Sequence, residues 1–215
     1  MTSTVKSILL VLTVLAGFSN SAAQGTPDTT RSSFSIQAGP SMPLGHWTAS
    51  RMNSSIDVFG TGVYISAELD LAISNRWTIA VTGGYTLYDG GAWEDYVAGQ
   101  GDAITASMYS FEIAVLARPS LLLSHWDMLR FEFGPAGLFA RGSEHYEGRN
   151  YNYDYLKTFA IGVQGGIEYT RMLNDYIGIS VHTAIVAFPS GIQFIDGETR
   201  DIISLPITLG LRFNF

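Results

Sequence analysis

Taken two residues at a time, the end of the chain separates into two sets. Ile203, Leu205, Ile207, Leu209, Leu211, Phe213 and Phe215 are apolar, and Ser204, Pro206, Thr208, Gly210, Arg212 and Asn214 alternate with them. Successive side chains of a β-strand point to opposite faces, so this stretch reads as a strand with one greasy face and one small or polar face. The same period recurs upstream. Ser33 to Pro40 sets Phe34, Ile36 and Ala38 against Ser35, Gln37 and Gly39, and Phe59 to Ile73 sets Val63, Ile65, Leu69 and Leu71 against Tyr64, Ser66, Glu68 and Asp70. Further alternating runs cover 77–88, 105–122, 128–141, 156–170 and 176–188. Short connections at 74–76, 124–127 and 171–175 alternate with long ones at 41–58, 89–104, 142–155 and 189–200. Eight strands are thereby predicted, each with the roughly 9–11 residues that a tilted strand needs to cross hydrocarbon. Short turns at one end and long loops at the other are how transmembrane barrels are strung. The expected fold is all-β: an eight-stranded antiparallel up-and-down transmembrane β-barrel over 33–215.

Alternation alone fits a soluble barrel or a membrane barrel, and the polar set decides between them. It is mostly Gly, Ala, Ser and Thr with single charges, a poor water-facing surface but a good filling for an eight-stranded lumen. The apolar set carries no charge through its middle. Aromatic residues gather at strand ends: Trp77, Trp126, Tyr169, Tyr176 and Phe215 near the short turns, and Tyr85, Tyr109, Phe139 and Phe188 near the loops. These are expected to form two interfacial girdles.

Composition agrees with this assignment. Only 14% of the 215 residues are charged, 47% are hydrophobic and 13% aromatic. Lys6 and the apolar run Ile8 to Phe18, followed by Ser21-Ala22-Ala23, read as a secretory signal peptide over 1–23. A flexible leader, 24–32, follows it. Lys157 is then the one lysine of the mature chain. The absence of cysteine leaves an exported protein without disulfides. A net charge of −7 argues against nucleic acid as a partner.

Inward-facing charge is the candidate chemistry. The lumen set includes Gln37, Glu68, Asp70, Glu112, Arg118, Arg130, Glu132, Gln164, Glu168, His182 and Arg212. A turn centred on His125 places Arg118 opposite Glu132. Most of these charges fall in the strand halves near the short turns, so a salt-bridged plug is expected there. The other half, lined by Ala80, Thr82, Gly84, Ala114, Ala136 and Gly162, is expected to be lighter and able to hold water. Ser180, His182 and Glu168 make a Ser/His/carboxylate set of the kind acyl transfer uses, but all three point into the lumen, away from lipid substrates. His46, His125 and His145 lie in separate connections, and the loop acids Asp89, Glu94, Asp95 and Asp102 lack a calcium-ligand spacing, so no metal site is expected. Gly83-Gly84 and Gly165-Gly166 lie inside strands and point to close backbone approach rather than a phosphate cradle. No cofactor is expected. Tyr146, Tyr151, Tyr153 and Tyr155, interleaved with Asn150 and Asn152, have the composition of a binding surface, or of a hairpin whose rings pack on one another.

The signal peptide, the run F-S-I-Q-A-G-P-S-M-P-L-G from Phe34 to Gly45 and the terminal L-G-L-R-F-N-F resemble the small outer-membrane β-barrel proteins. These include the OmpA transmembrane domain and OmpX type and the wider porin-like family. The resemblance implies a multi-pass protein of the bacterial outer membrane, surrounded by its lipid, with Phe215 read by the barrel-assembly machinery. No peptidoglycan-binding domain is expected after the barrel, and the lipid-facing His-x-Ser pair of the lipid A deacylase barrels is not found. The sequence therefore supports a structural or surface-interaction role through the loops, toward an extracellular ligand, with no enzymatic activity. A narrow pore for small solutes is the alternative, and a lipid-modifying enzyme a third reading.

Overall fold

A computed structural model describes residues 31–44, 48–49, 56–57, 61–74, 76–95, 102–146, 151–193 and 199–215. The expected signal peptide and residues 24–30 of the leader lie outside these. Eight strands form a closed antiparallel barrel: β1 (Ser33–Leu44), β4 (Gly62–Ser74), β5 (Trp77–Asp95), β6 (Asp102–Leu122), β7 (Asp127–Tyr146), β8 (Tyr151–Met172), β9 (Ile177–Gln193) and β10 (Thr199–Asn214). Between the first two, Thr48–Ala49 (β2) and Ile56–Asp57 (β3) make a two-stranded ladder of their own. Each strand pairs with its neighbour in sequence, and β1 pairs with β10 to close the cylinder.

Register fixes the tilt. Followed across successive strands, the line from Ser33 passes Asp70, Ala80, Leu116, Gly134, Gln164, Val186 and Ser204, and returns to β1 at Pro43. The pairs Ala114–Ala136 and Ala117–Phe133 bracket the step from Leu116 to Gly134. A ten-residue stagger in an eight-stranded barrel corresponds to strands tilted by roughly 35–45°.

The turns at one end are short because the sequence builds them. Between β6 and β7, Leu123 N and Ser124 N both donate to Asp127 O, at 2.9 and 3.2 Å, while Ser124 Oγ accepts from Trp126 N and Asp127 N. Between β8 and β9 the arrangement repeats: Leu173 N and Asn174 N donate to Ile177 O, and Asn174 Oδ1 accepts from Tyr176 N and Ile177 N. A short polar side chain bonding to backbone two or three residues on is what Ser and Asn contribute to tight turns.

The alternation resolves as apolar outside. Val163 is 58% exposed and Ile79 40%, whereas Arg118 is 0% exposed and Glu132 4%. From Leu129 to Phe139 the outward face of β7 is uncharged. Ten residues at about 3.3 Å each, tilted by about 40°, make an apolar belt roughly 25 Å tall, the height that transmembrane barrels present to hydrocarbon.

Strand lengths differ from expectation at the other end. β1 runs on to Leu44, β5 to Asp95, β7 to Tyr146 and β9 to Gln193; β6, β8 and β10 begin correspondingly early, at Asp102, Tyr151 and Thr199, whereas β4 begins late, at Gly62. The stretches 89–104, 142–155 and 189–200 are thus in large part ladder, not loop, whereas 41–58 holds only the end of β1 and the two-residue strands β2 and β3 among its described residues. Their Gly, Asn and Asp content suggested loops, yet strands that project beyond a barrel pair with each other and need no buried face to do so.

Candidate functional site

Seven charged side chains and a histidine from six strands meet inside the barrel, toward the short turns. β4 supplies Glu68 and Asp70, β6 Arg118, β7 Arg130 and Glu132, β8 Glu168, β9 His182 and β10 Arg212, all of them buried. Arg118 engages Glu68 through both terminal nitrogens, Asp70 at 2.9 Å and Glu132 at 2.5 Å. Arg130 pairs with Asp70 at 2.5 Å and with Glu168. Arg212 reaches Asp70 at 2.7 Å and donates through Nε to Asn214 Oδ1 at 3.2 Å. His182 Nε2 lies 2.8 Å from Glu132 Oε1. Neutral groups take up remaining positions: Gln164 donates to Glu132 at 2.8 Å, Ser33 to Asp70 at 3.1 Å, and Thr208 to Gln37 Oε1 at 2.8 Å.

Asp70 is the hub, since guanidiniums from β6, β7 and β10 converge on it. Four carboxylates face three guanidiniums and the imidazole. Ions this deeply buried are tolerated only when paired and hydrogen-bonded, because each loses its water. Arginine suits the task, offering five donors in a planar fork that can serve two or three carboxylates at once.

Glu112 stands apart from this network. It is buried on β6, opposite Gly84 and Leu138, and among the described residues no ion pair or hydrogen bond reaches it. The half of the lumen farther from the turns also differs from expectation. Tyr88, Met108, Leu138, Val186, Phe188 and Ile202 pack there, each at most 3% exposed, with Tyr88 OH 2.9 Å from Ser41 Oγ. It is therefore not the light, small-residue space that was expected. Phe188 was expected in the outer girdle, but it points inward because it shares parity with His182 and Val186 on β9. All six lie within the strands assigned from sequence and on the parity of the inward set, and that parity was the signal that could have placed them.

The other girdle residues described stay outward or half-buried. Tyr169 donates its hydroxyl to Asp127 Oδ1 at 2.6 Å. Phe215, two-thirds exposed, is anchored by its backbone N–H to Ser32 O at 2.9 Å. Ser180 and His182 are not hydrogen-bonded to each other. Ser180 Oγ is buried with no hydrogen-bond partner, and the imidazole lies against Glu132 and Thr208 rather than Glu168. Among the described residues no group of three His, Cys, Asp or Glu side chains could hold a metal. Tyr146 pairs with Tyr151 and Glu144 with Tyr153 across the β7–β8 hairpin. The side chains of Tyr146, Tyr151, Tyr153 and Tyr155 lie outside the described residues, as do those of His46, His145 and the acids Asp89, Glu94, Asp95 and Asp102.

Solved structures share this architecture. OprG, an outer membrane protein of Pseudomonas aeruginosa, superposes with a TM-score of 0.59 at 10% identity, over 89% of this chain and 99% of its own. Ail, the attachment invasion locus protein of Yersinia pestis, gives 0.51 at 13% identity, over 86% and 99%. A major outer membrane protein of Thermus thermophilus gives 0.51 at 12% identity, with the same shares. The fold is that of the small outer-membrane barrels. No family profile matches the chain, and no curated protein matches it in sequence.

Proposed function

We propose that this chain is an integral protein of a bacterial outer membrane. In this reading the barrel is a rigid mount, closed to solutes, and the hairpins at the loop end carry a non-enzymatic surface-interaction role. The observation that carries it is the division of the strands: an uncharged apolar belt outside, and every described ion of the network inside. In this reading the short turns, the start of β1 and the end of β10 face the periplasm, and β5–β6 and β7–β8 project on the other side, where β7–β8 would present the Tyr-rich tip to the exterior. Closure of the lumen is supported by two successive barriers, the ion network and the apolar cluster around Phe188. A non-enzymatic role is supported by Ser180 Oγ having no hydrogen-bond partner among the described residues, while His182 is bonded to Glu132. That such a mount can serve attachment is what the name of the Yersinia protein says of that protein.

Val163→Arg provides the test of membrane residence. Placed on the outward face, the charge should lower folding stability in lipid vesicles by about 2–4 kcal/mol; an unchanged urea midpoint would remove the bilayer from the account. Conductance across planar bilayers tests the closed lumen. No stepwise current is expected from the wild-type chain, and regular steps would favour the narrow pore instead.

A further inference from the structure

Inside the lumen, one hydroxyl stands between an imidazole and the seam where the barrel closes. Thr208 on β10 donates to Gln37 Oε1 on β1 at 2.8 Å, and its Oγ1 lies 3.5 Å from His182 Nδ1 on β9. The Gln37 amide is oriented by Glu168, whose carboxylate accepts from Gln37 Nε2 at 3.5 Å. All four side chains are buried. The Thr208–Gln37 bond crosses from β10 to β1 at a gap in their ladder, which skips from Ala38–Leu209 to Ser41–Pro206 with Thr208 inside the skip.

A threonine hydroxyl has a single hydrogen to give. While Gln37 receives it, only a donor can face the Thr208 lone pair, so His182 Nδ1 carries a hydrogen. Nε2 carries one as well, because it lies 2.8 Å from Glu132 Oε1. The ring is then an imidazolium. Charge balance agrees, since Glu68, Asp70, Glu132 and Glu168 meet Arg118, Arg130 and Arg212 and need one more cation for neutrality. The charges acting on the ring are Glu132 from β7, Glu168 from β8 and Arg118 from β6, while β1 and β10 face it with the neutral Gln37 and Thr208.

We propose that His182 is a pH-sensitive latch on the β1–β10 seam. Charged, it donates to Thr208 and leaves that hydroxyl to Gln37. When Nδ1 gives its proton to water it becomes an acceptor, and the Thr208 hydrogen turns toward it and away from Gln37. That turn moves no heavy atom, yet it removes the side-chain bond across the gap and leaves the network one cation short. The bond is present while the ring is charged and is lost as pH rises, so the seam loosens toward alkaline pH. The latch is independent of the task the hairpins perform.

The full chain, refolded in lipid vesicles, provides the test. Nitrogen NMR spectra taken from about pH 6 to about pH 10 should show both ring nitrogens of His182 protonated at the acid end, and Nδ1 alone losing its hydrogen as pH rises. Over the same range, hydrogen-exchange protection at Ala38 and Leu209, which border the gap, should fall relative to Ile113 in the β5–β6 ladder. Thr208→Val, with no hydroxyl to turn, should abolish that pH-dependent difference, and Thr208→Ser should keep it. The wild-type spectra decide alone where a variant does not fold. An imidazole that keeps one protonation state throughout, seam protection that ignores the titration of Nδ1, or a pH dependence unchanged in Thr208→Val would each overturn the proposal.

Discussion

At the scale of single residues, the lumen separates charges that are paired from one that is not, and the two kinds should respond oppositely to mutation. Arg118 holds Glu68, Asp70 and Glu132 together. Replacing it with Met leaves those carboxylates buried and short of a cation, and should cost about 3–5 kcal/mol in urea unfolding. Glu112 has no described partner to lose, so Glu112→Gln should leave the midpoint unchanged or raise it. Gly84 marks a different constraint. A Cβ there would fall 2.7 Å from the Tyr64 ring, which lies across it from the adjacent strand. Gly84→Val should therefore displace Tyr64 and lower stability by about 1–3 kcal/mol, read from the same denaturation curves. The sequence marked Glu112 as inward by parity, but not as solitary. Parity gives a side, whereas pairing depends on how far each strand is staggered against the next, and no single strand encodes that.

Among the elements, prolines interrupt the ladder on one side only. β1 keeps Gly39 and Pro40 paired with Tyr64 and Val63 on β4, yet its register with β10 skips from Ala38–Leu209 to Ser41–Pro206. β7 likewise keeps Pro135 opposite Val163 on β8, while its ladder with β6 breaks between Ala114–Ala136 and Ala117–Phe133. A proline has no N–H to give, so the bond is missing where that N–H would have pointed. Amide hydrogen exchange should therefore be faster at Ile207, which faces Pro40 where the β1–β10 ladder skips, than at Ile113 in the unbroken β5–β6 ladder. Equal protection at these positions would mean that the seam is held by something other than its backbone bonds. Strand existence and order were legible from the two-residue period, and the turn at His125 located the Arg118–Glu132 pair. Strand ends were not legible, because beyond the belt no burial difference forces the alternation that the reading relied on. Phe188, inside its assigned strand, was misplaced for a different reason: its aromatic character suggested a girdle position, while its parity placed it inside.

For the molecule as a whole, the network belongs to no single hairpin. Asp70 comes from the second strand of the barrel, and its three arginines come from the fourth, fifth and eighth. Any partial sheet leaves some of this charge without its counterpart. Arg212 lies on the strand made last, so a growing sheet carries surplus negative charge until that strand docks. Oil would reject such an intermediate, and accept the finished cylinder. On the proposed membrane reading, electrostatics would thus act as a completion check, because neutrality of the interior waits on the first and last strands having met.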